Sequence, residues 1–202
     1  AAGDATSSSA DDLNTINEKT TAAINASAIT ALTSDTIDNI KTLLTAGNDT
    51  NQFTDTSFAS LTGVTVSDET LDGSKLADAI DQANSATGDT SVVFTISAAD
   101  TIEGSEANFT ALLTDDGNNQ IDIDDQDISV SGTISVDNAN LLDTATTGTI
   151  TASIDTDETV TELKTLTGTT HAYTIVIAAG DATSSSADDL NTINEKTTAA
   201  IN

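Results

Sequence analysis

The chain has no cysteine, methionine, tryptophan, proline or arginine, and its aromatics are Phe53, Phe58, Phe94, Phe109 and Tyr173 alone. Without cysteine it can have neither a disulfide framework nor a thiolate metal site. Positive charge is nearly missing as well. Five lysines stand against 33 acidic residues, for a formal net charge of −28 over 202 residues. Nucleic-acid binding needs Lys and Arg to neutralise phosphates, so that partner class is excluded. Docking on anionic lipid is excluded for the same reason. No run approaches the ~18 apolar residues of a membrane span, so no direct membrane insertion is expected of this segment. The longest run, AYTIVIAA at 172–179, has the length of a buried strand. No signal-peptide pattern opens the sequence, so export rests on the character of the chain.

Several kinds of catalysis lose their raw material in the same way. There is one histidine, His171, so a Ser-His-Asp triad would have to use it. It precedes the AYTIVI run, where a surface imidazole is the ordinary expectation. Paired carboxylates could serve a glycosidase, but in so acidic a chain such pairs arise everywhere by chance. The scarcity of aromatics also removes the usual platforms for stacking sugars. Neither a phosphate-cradling glycine loop nor a zinc ligand set is present. No enzyme activity is expected.

What is present is repetition. Residues 1–25 read AAGDATSSSADDLNTINEKTTAAIN, and residues 178–202 read the same 25 letters. The shift from 1 to 178 sets a period of 177 residues, so 1–177 is one full tandem repeat and 178–202 begins the next. Drift does not produce 25 identical residues, whereas recent duplication in an array does. The period divides into about three sub-repeats, 1–63, 64–126 and 127–177.

Within them helical and extended patterns alternate. Residues 34–47 (SDTIDNIKTLLTAG), 105–117 (SEANFTALLTDDG) and 155–168 (DTDETVTELKTLTG) place Leu and Ile at helical spacing. Residues 9–20, 72–85 and 137–147 form a second helical set, with Ser or Asp placed to cap each. Ser34 or Asp35 is the expected start of the 34–47 helix, with Gly47 and Gly168 as stops. Between the helices lie β-prone runs at 22–27, 51–56, 64–68, 92–97, 119–124, 128–136, 149–154 and 172–177. This order predicts an α/β repetitive solenoid of alternating short strands and helices with a parallel sheet. The alternatives are an all-β helix, because Thr, Ser and Asn form helices poorly, and a string of β-sandwich adhesin repeats. Leu13, Ile16, Ile37, Ile40, Leu43, Leu76, Ile80, Leu112, Leu163 and Leu166 are expected to point inward.

The phrases ADDLNTINEKTTAAINAS and GVTVSDETLDGSKLADAID resemble repeats of giant cell-surface and extracellular tandem-repeat proteins from marine cyanobacteria and other aquatic bacteria. Those repeats pair a strand ending in Ser-Asp with a helix of Asp-Leu-Asn-Thr-Ile type. The resemblance covers Ser9–Ser27 and Val64–Ile80. It implies a surface-layer, filament, motility or adhesion role and brings no catalytic residue with it.

Of the 33 acids, 26 are Asp, and they cluster at Asp122, Asp124, Asp125 and Asp127. Hard carboxylate oxygens suit calcium, which accepts six to eight of them in irregular geometry. These four residues are the candidate metal ligands and calcium the candidate cofactor. No EF-hand loop or glycine-rich calcium nonapeptide accompanies them, and Asp serves equally as a cap or turn residue. The sequence therefore reads as a structural module of a large extracellular fibre, sheath or surface layer, or as a spacer in a giant adhesin. Its expected partners are neighbouring copies of itself, joined covalently or laterally.

Overall fold

The computed structural model describes residues 6–88, 90–96, 101–182 and 185–202. Its architecture follows from one recurring junction, in which a short extended segment ends on a Ser, Thr or Asp whose side chain starts a helix. Ser9, Thr36, Asp72 and Ser135 occupy this position, and Thr159 and Ser186 cap α6 and α8 in the same way, each accepting from a backbone N–H two or three residues on. That bond satisfies a donor the helix cannot satisfy itself.

The elements run β1 (Ser7–Ser8), α1 (Ala10–Glu18), β2 (Ala31–Asp35), α2 (Ile37–Gly47), β3 (Gly63–Val66), β4 (Thr70–Asp72), α3 (Gly73–Thr87) and β5 (Val93–Ile96). They continue with β6 (Thr101–Ser105), α4 (Glu106–Gly117), β7 (Asp127–Ile134), α5 (Val136–Ala145), β8 (Ile150–Ile154), α6 (Val160–Leu163), β9 (Ala172–Thr174), α7 (Ala179–Ala182) and α8 (Ala187–Asn194). The chain divides into two compact units, Ala1–Ala99 with Thr114–Asp122, and Asp100–Leu113 with Ile123–Asn202.

In the first unit β1, β2, β3 and β5 neighbour one another in that order, all parallel. Leu32, Val64 and Phe94 stand opposite one another across three strands and are at most 1% exposed. This is a cross-strand apolar ladder on the covered face. The helices supply the other side of that core: Ile37, Ile40, Leu43 and Leu44 of α2, and Leu76, Ala79, Ile80 and Ala83 of α3, are buried. In the second unit β6, β7, β8 and β9 are parallel neighbours, again in sequence order. Ile102 faces Ile128, Ile128 faces Ile150, and Ala152 faces Tyr173. The β7–β8 register shifts between Ser129 and Thr133. Gly132, at φ 83°, takes the left-handed backbone there that a side chain would oppose.

The fold is thus α/β with parallel sheets and alternating strands and helices. The all-β helix and the β-sandwich string do not describe it. In detail the sequence reading needs correction. The runs at 22–27, 51–56 and 119–124 are not strands; each contributes one isolated parallel bridge residue, at Ile24, Phe53 and Ile121. The 155–168 helix contracts to α6, four residues long, because the capping box of Thr159 and Glu162 starts it late and it ends at Lys164. Residues 31–35 form a strand, so α2 starts after Thr36 and not at Ser34 or Asp35. Gly47 is the last residue of α2 and not a stop beyond it. Its missing Cβ makes room for the Phe58 ring, whose nearest carbons would lie 2.8 Å from one. Of the ten residues expected inward, Ile16 is 50% exposed and the others are buried. Ile16 lies about 60° around α1 from Leu13, beyond the edge of the covered strip, and helical spacing alone does not say where that strip ends.

Candidate functional site: the faces between successive strand–helix steps

Acidic side chains do specific work where one step meets the next. Asp35, at the end of β2, reaches back to α1 and accepts from the N–H of Asp11 at 2.7 Å. Asp68, after β3, does the same for the N–H of Ile37 in α2, also at 2.7 Å. In the second unit Glu158 accepts from Val136 N–H at 2.9 Å. Glu106 accepts from the N–H and hydroxyl of Ser135 at 3.0 and 2.8 Å, and from the Asn138 amide at 2.7 Å. Each places negative charge at the positive end of a helix dipole, where unpaired N–H groups gather. The Asn138 amide, working against the cost of burial and helped by Ser135, holds the Glu106 carboxyl below its ordinary value.

Side-chain amides form the second contact type. Asn14 donates to Asn39 O at 3.0 Å, Asn17 to Gln52 Oε1 at 2.7 Å, and Asn48 to Gln82 Oε1 at 2.8 Å. Gln120 Nε2 donates to Asn84 Oδ1 at 2.6 Å. Lysines add a third. Lys41 of α2 pairs with Asp78 of α3, and Lys75 of α3 with Asp38 of α2. Lys164 pairs with Asp189. These pairs are solvent-exposed and contribute little each, but they orient neighbouring helices.

One acid runs against this pattern. Burial, with the charge of Asp81 nearby, raises Asp115 to about 6. A carboxylate whose folded pKa is raised destabilises the fold above that value, and the penalty is relieved as pH falls from about 6 toward its ordinary 3.8. Asp115→Asn is therefore expected to stabilise the chain at pH 7–8 by about 1 kcal/mol, discounted for partial solvation. The gain should vanish by about pH 4. Denaturant titrations at both pH values check it, and an equal effect at the two would contradict the assignment.

His171 is not at the surface: it is 3% exposed. Its Nδ1 accepts from the buried Ile150 N–H at 3.1 Å, and Nε2 lies 2.5 Å from Asp143 Oδ1. The first bond leaves Nδ1 without a proton, so Nε2 carries the hydrogen and donates to Asp143. Burial opposes ionisation of Asp143, but the hydrogen bonds from His171 and Thr167 outweigh it and hold the carboxyl below its ordinary value. The Tyr173 ring packs 5.3 Å from the imidazole. Both ring nitrogens are engaged inside the protein, and the pair ties α5 to β8. The expectation of a surface histidine fails because the β9 approach folds it inward.

The candidate calcium ligands lie on the approach to β7 and at its first residue. Asp122 belongs to the first unit, and Asp124, Asp125 and Asp127 to the second. Asp125 Oδ1 accepts from the Thr147 hydroxyl at 3.2 Å, and Asp127 Oδ1 from the Thr149 N–H at 2.6 Å. The acidic caps between steps were not visible in the sequence, although the Ser-Asp endings of the strands were their signal.

No helix among the described residues is long and apolar enough to cross a membrane. No protein family, curated protein or solved structure matches the chain.

Proposed function

We propose that this chain is a structural repeat module of a large extracellular fibre, sheath or surface layer, in which strand–helix steps stack as a solenoid and neighbouring copies are its partners. The observation that carries this reading is the 25-residue sequence recurring after 177 residues. It is supported by the step order within each unit: β1, β2, β3 and β5, and β6, β7, β8 and β9, lie side by side in sequence order, and side chains of one step cap helices of its neighbour. A net charge of −28 keeps parallel filaments apart by self-repulsion. Calcium is part of the proposal as the cation that would bridge them at Asp122, Asp124, Asp125 and Asp127. Calorimetry with no calcium heat and an unchanged melting temperature would remove it. The deciding measurement is the mass of the native chain under denaturing conditions. A mass many times 20.5 kDa is expected; a mass near that figure would overturn the array.

A further inference from the structure

The two copies of the 25-residue segment carry the same letters and bury different sides of their helix. In the first copy Ala10 and Leu13 are buried, at 0% and 8%, while Ile16 is 50% exposed. In the second copy the equivalent of Ile16, Ile193, is 0% exposed, and the equivalent of Leu13, Leu190, is 38% exposed. Thr197 is buried, whereas Thr20 is exposed. On a helix turning 100° per residue, Leu13, Asn14 and Asn17 lie on one side and Asp12 and Ile16 on another. Each copy has one of these sides filled.

The fillings differ in kind. The first copy is covered by the step that follows it. Asn14 and Asn17 donate to Asn39 and Gln52. Ile24 N–H donates to Gln52 O, and Ile24 O accepts from Thr54 N–H, both at 2.9 Å. The second copy is covered by the step that precedes it. Asp189 pairs with Lys164, and the Thr197 hydroxyl donates to Tyr173 O. Asn202 N–H donates to Ile175 O, and Asn202 O accepts from Ile177 N–H, both at 3.0 Å. The backbone groups used do not overlap. The Ile of the Ile-Asn pair bonds forward in the first copy, and the Asn bonds backward in the second. Consecutive residues bonding opposite neighbours is the arrangement of an interior strand of a parallel sheet.

On the second copy the forward face is open. Leu190, Asn191, Asn194, Ile201 and Asn202, with Ile177, line a groove of about 460 Å³. Leu190, Asn191, Asn194 and Ile201 are the counterparts of Leu13, Asn14, Asn17 and Ile24, the residues that hold the following step in the first unit. We propose that this groove is a docking site for a second copy of residues 26–58, seated as those residues sit on the first copy. In that seat Asn194 would donate to the second copy's Gln52 and Ile201 would pair beside its Phe53. The complementary face, around Ile16, matches the one that buries Ile193. One segment can therefore carry both neighbours at once, and the joint needs no residue beyond those already present.

The inference rests on the array reading only for where the occupant comes from. A native mass of a single unit would remove the array, whereas the fit is tested separately. The full chain is extended after Asn202 by residues 26–88 a second time. Amide exchange at Ile201 is expected to slow at least tenfold on extension. Leu190→Ala, expected to leave the melting temperature of the 202-residue chain within about a degree, is expected to lower that of the extended chain by several degrees, as is expected of Leu13→Ala. Unchanged exchange at Ile201, or a Leu190→Ala effect equal in both chains, would overturn the proposal. Protection that grows with protein concentration would mean that the same segment docks from a neighbouring molecule, which also fills the groove as described.

Discussion

Leu43→Ala and Leu112→Ala are each expected to lower the unfolding free energy by about 2–5 kcal/mol, the range for deleting a buried leucine side chain and leaving a partly relaxed cavity. Both leucines are fully buried, Leu43 on the apolar side of α2 and Leu112 on that of α4. Each helix covers its sheet with few large residues, because small and polar residues dominate the composition. The loss of one leucine is then a large share of one step's core. Ile16→Ala is the control. Its side chain is half exposed and should cost no more than about 0.5 kcal/mol. Denaturant midpoints for the three variants decide the matter: a Leu43→Ala cost as small as that of Ile16→Ala would refute the packing of α2.

His171→Ala should be comparably damaging, by about 2–5 kcal/mol, although the residue is polar. The substitution opens a cavity beside Tyr173. It also strands the Ile150 N–H, a buried donor whose partner is Nδ1, at a cost of about 1–3 kcal/mol. Asp143 loses its imidazole donor at the same time. Asp143→Asn is expected to cost less, since an amide oxygen can still accept from Nε2. A catalytic histidine commonly shows the reverse: its removal is tolerated by the fold and abolishes turnover. Thermal melts of the two variants separate these cases, and a His171→Ala chain as stable as the parent would discard the structural role.

The sequence disclosed the fold class and most of the helices because their information is local. Ile37, Ile40, Leu43 and Leu44 are spaced for one helix face, and Ser9, Asp72 and Ser135 stand where caps belong. It misled where the deciding partner is remote. Whether Ile16 or Leu13 is covered depends on which neighbouring step is present, and the identical second copy buries the other one. His171 is buried because Ile150 and Asp143, 21 and 28 residues away in sequence, meet its two nitrogens. Residues 31–35 give no strand signal of their own because ALTSD alternates poorly, and their strand is defined by pairing with Val64 and Val66.

The acids that cap helices across steps link the stability of each helix to that of its neighbour. Helix α1 is held at its start by Asp35, which belongs to the next step, and α2 by Asp68, which belongs to the one after. If the steps stack as the proposed solenoid, the chain is expected to behave as a one-dimensional system with nearest-neighbour coupling, in which an interior step melts only at the expense of two interfaces and a terminal step at the expense of one. Opening should then start where a helix lacks its forward cap and travel inward as a front, so that added steps lengthen the lifetime of every step already present.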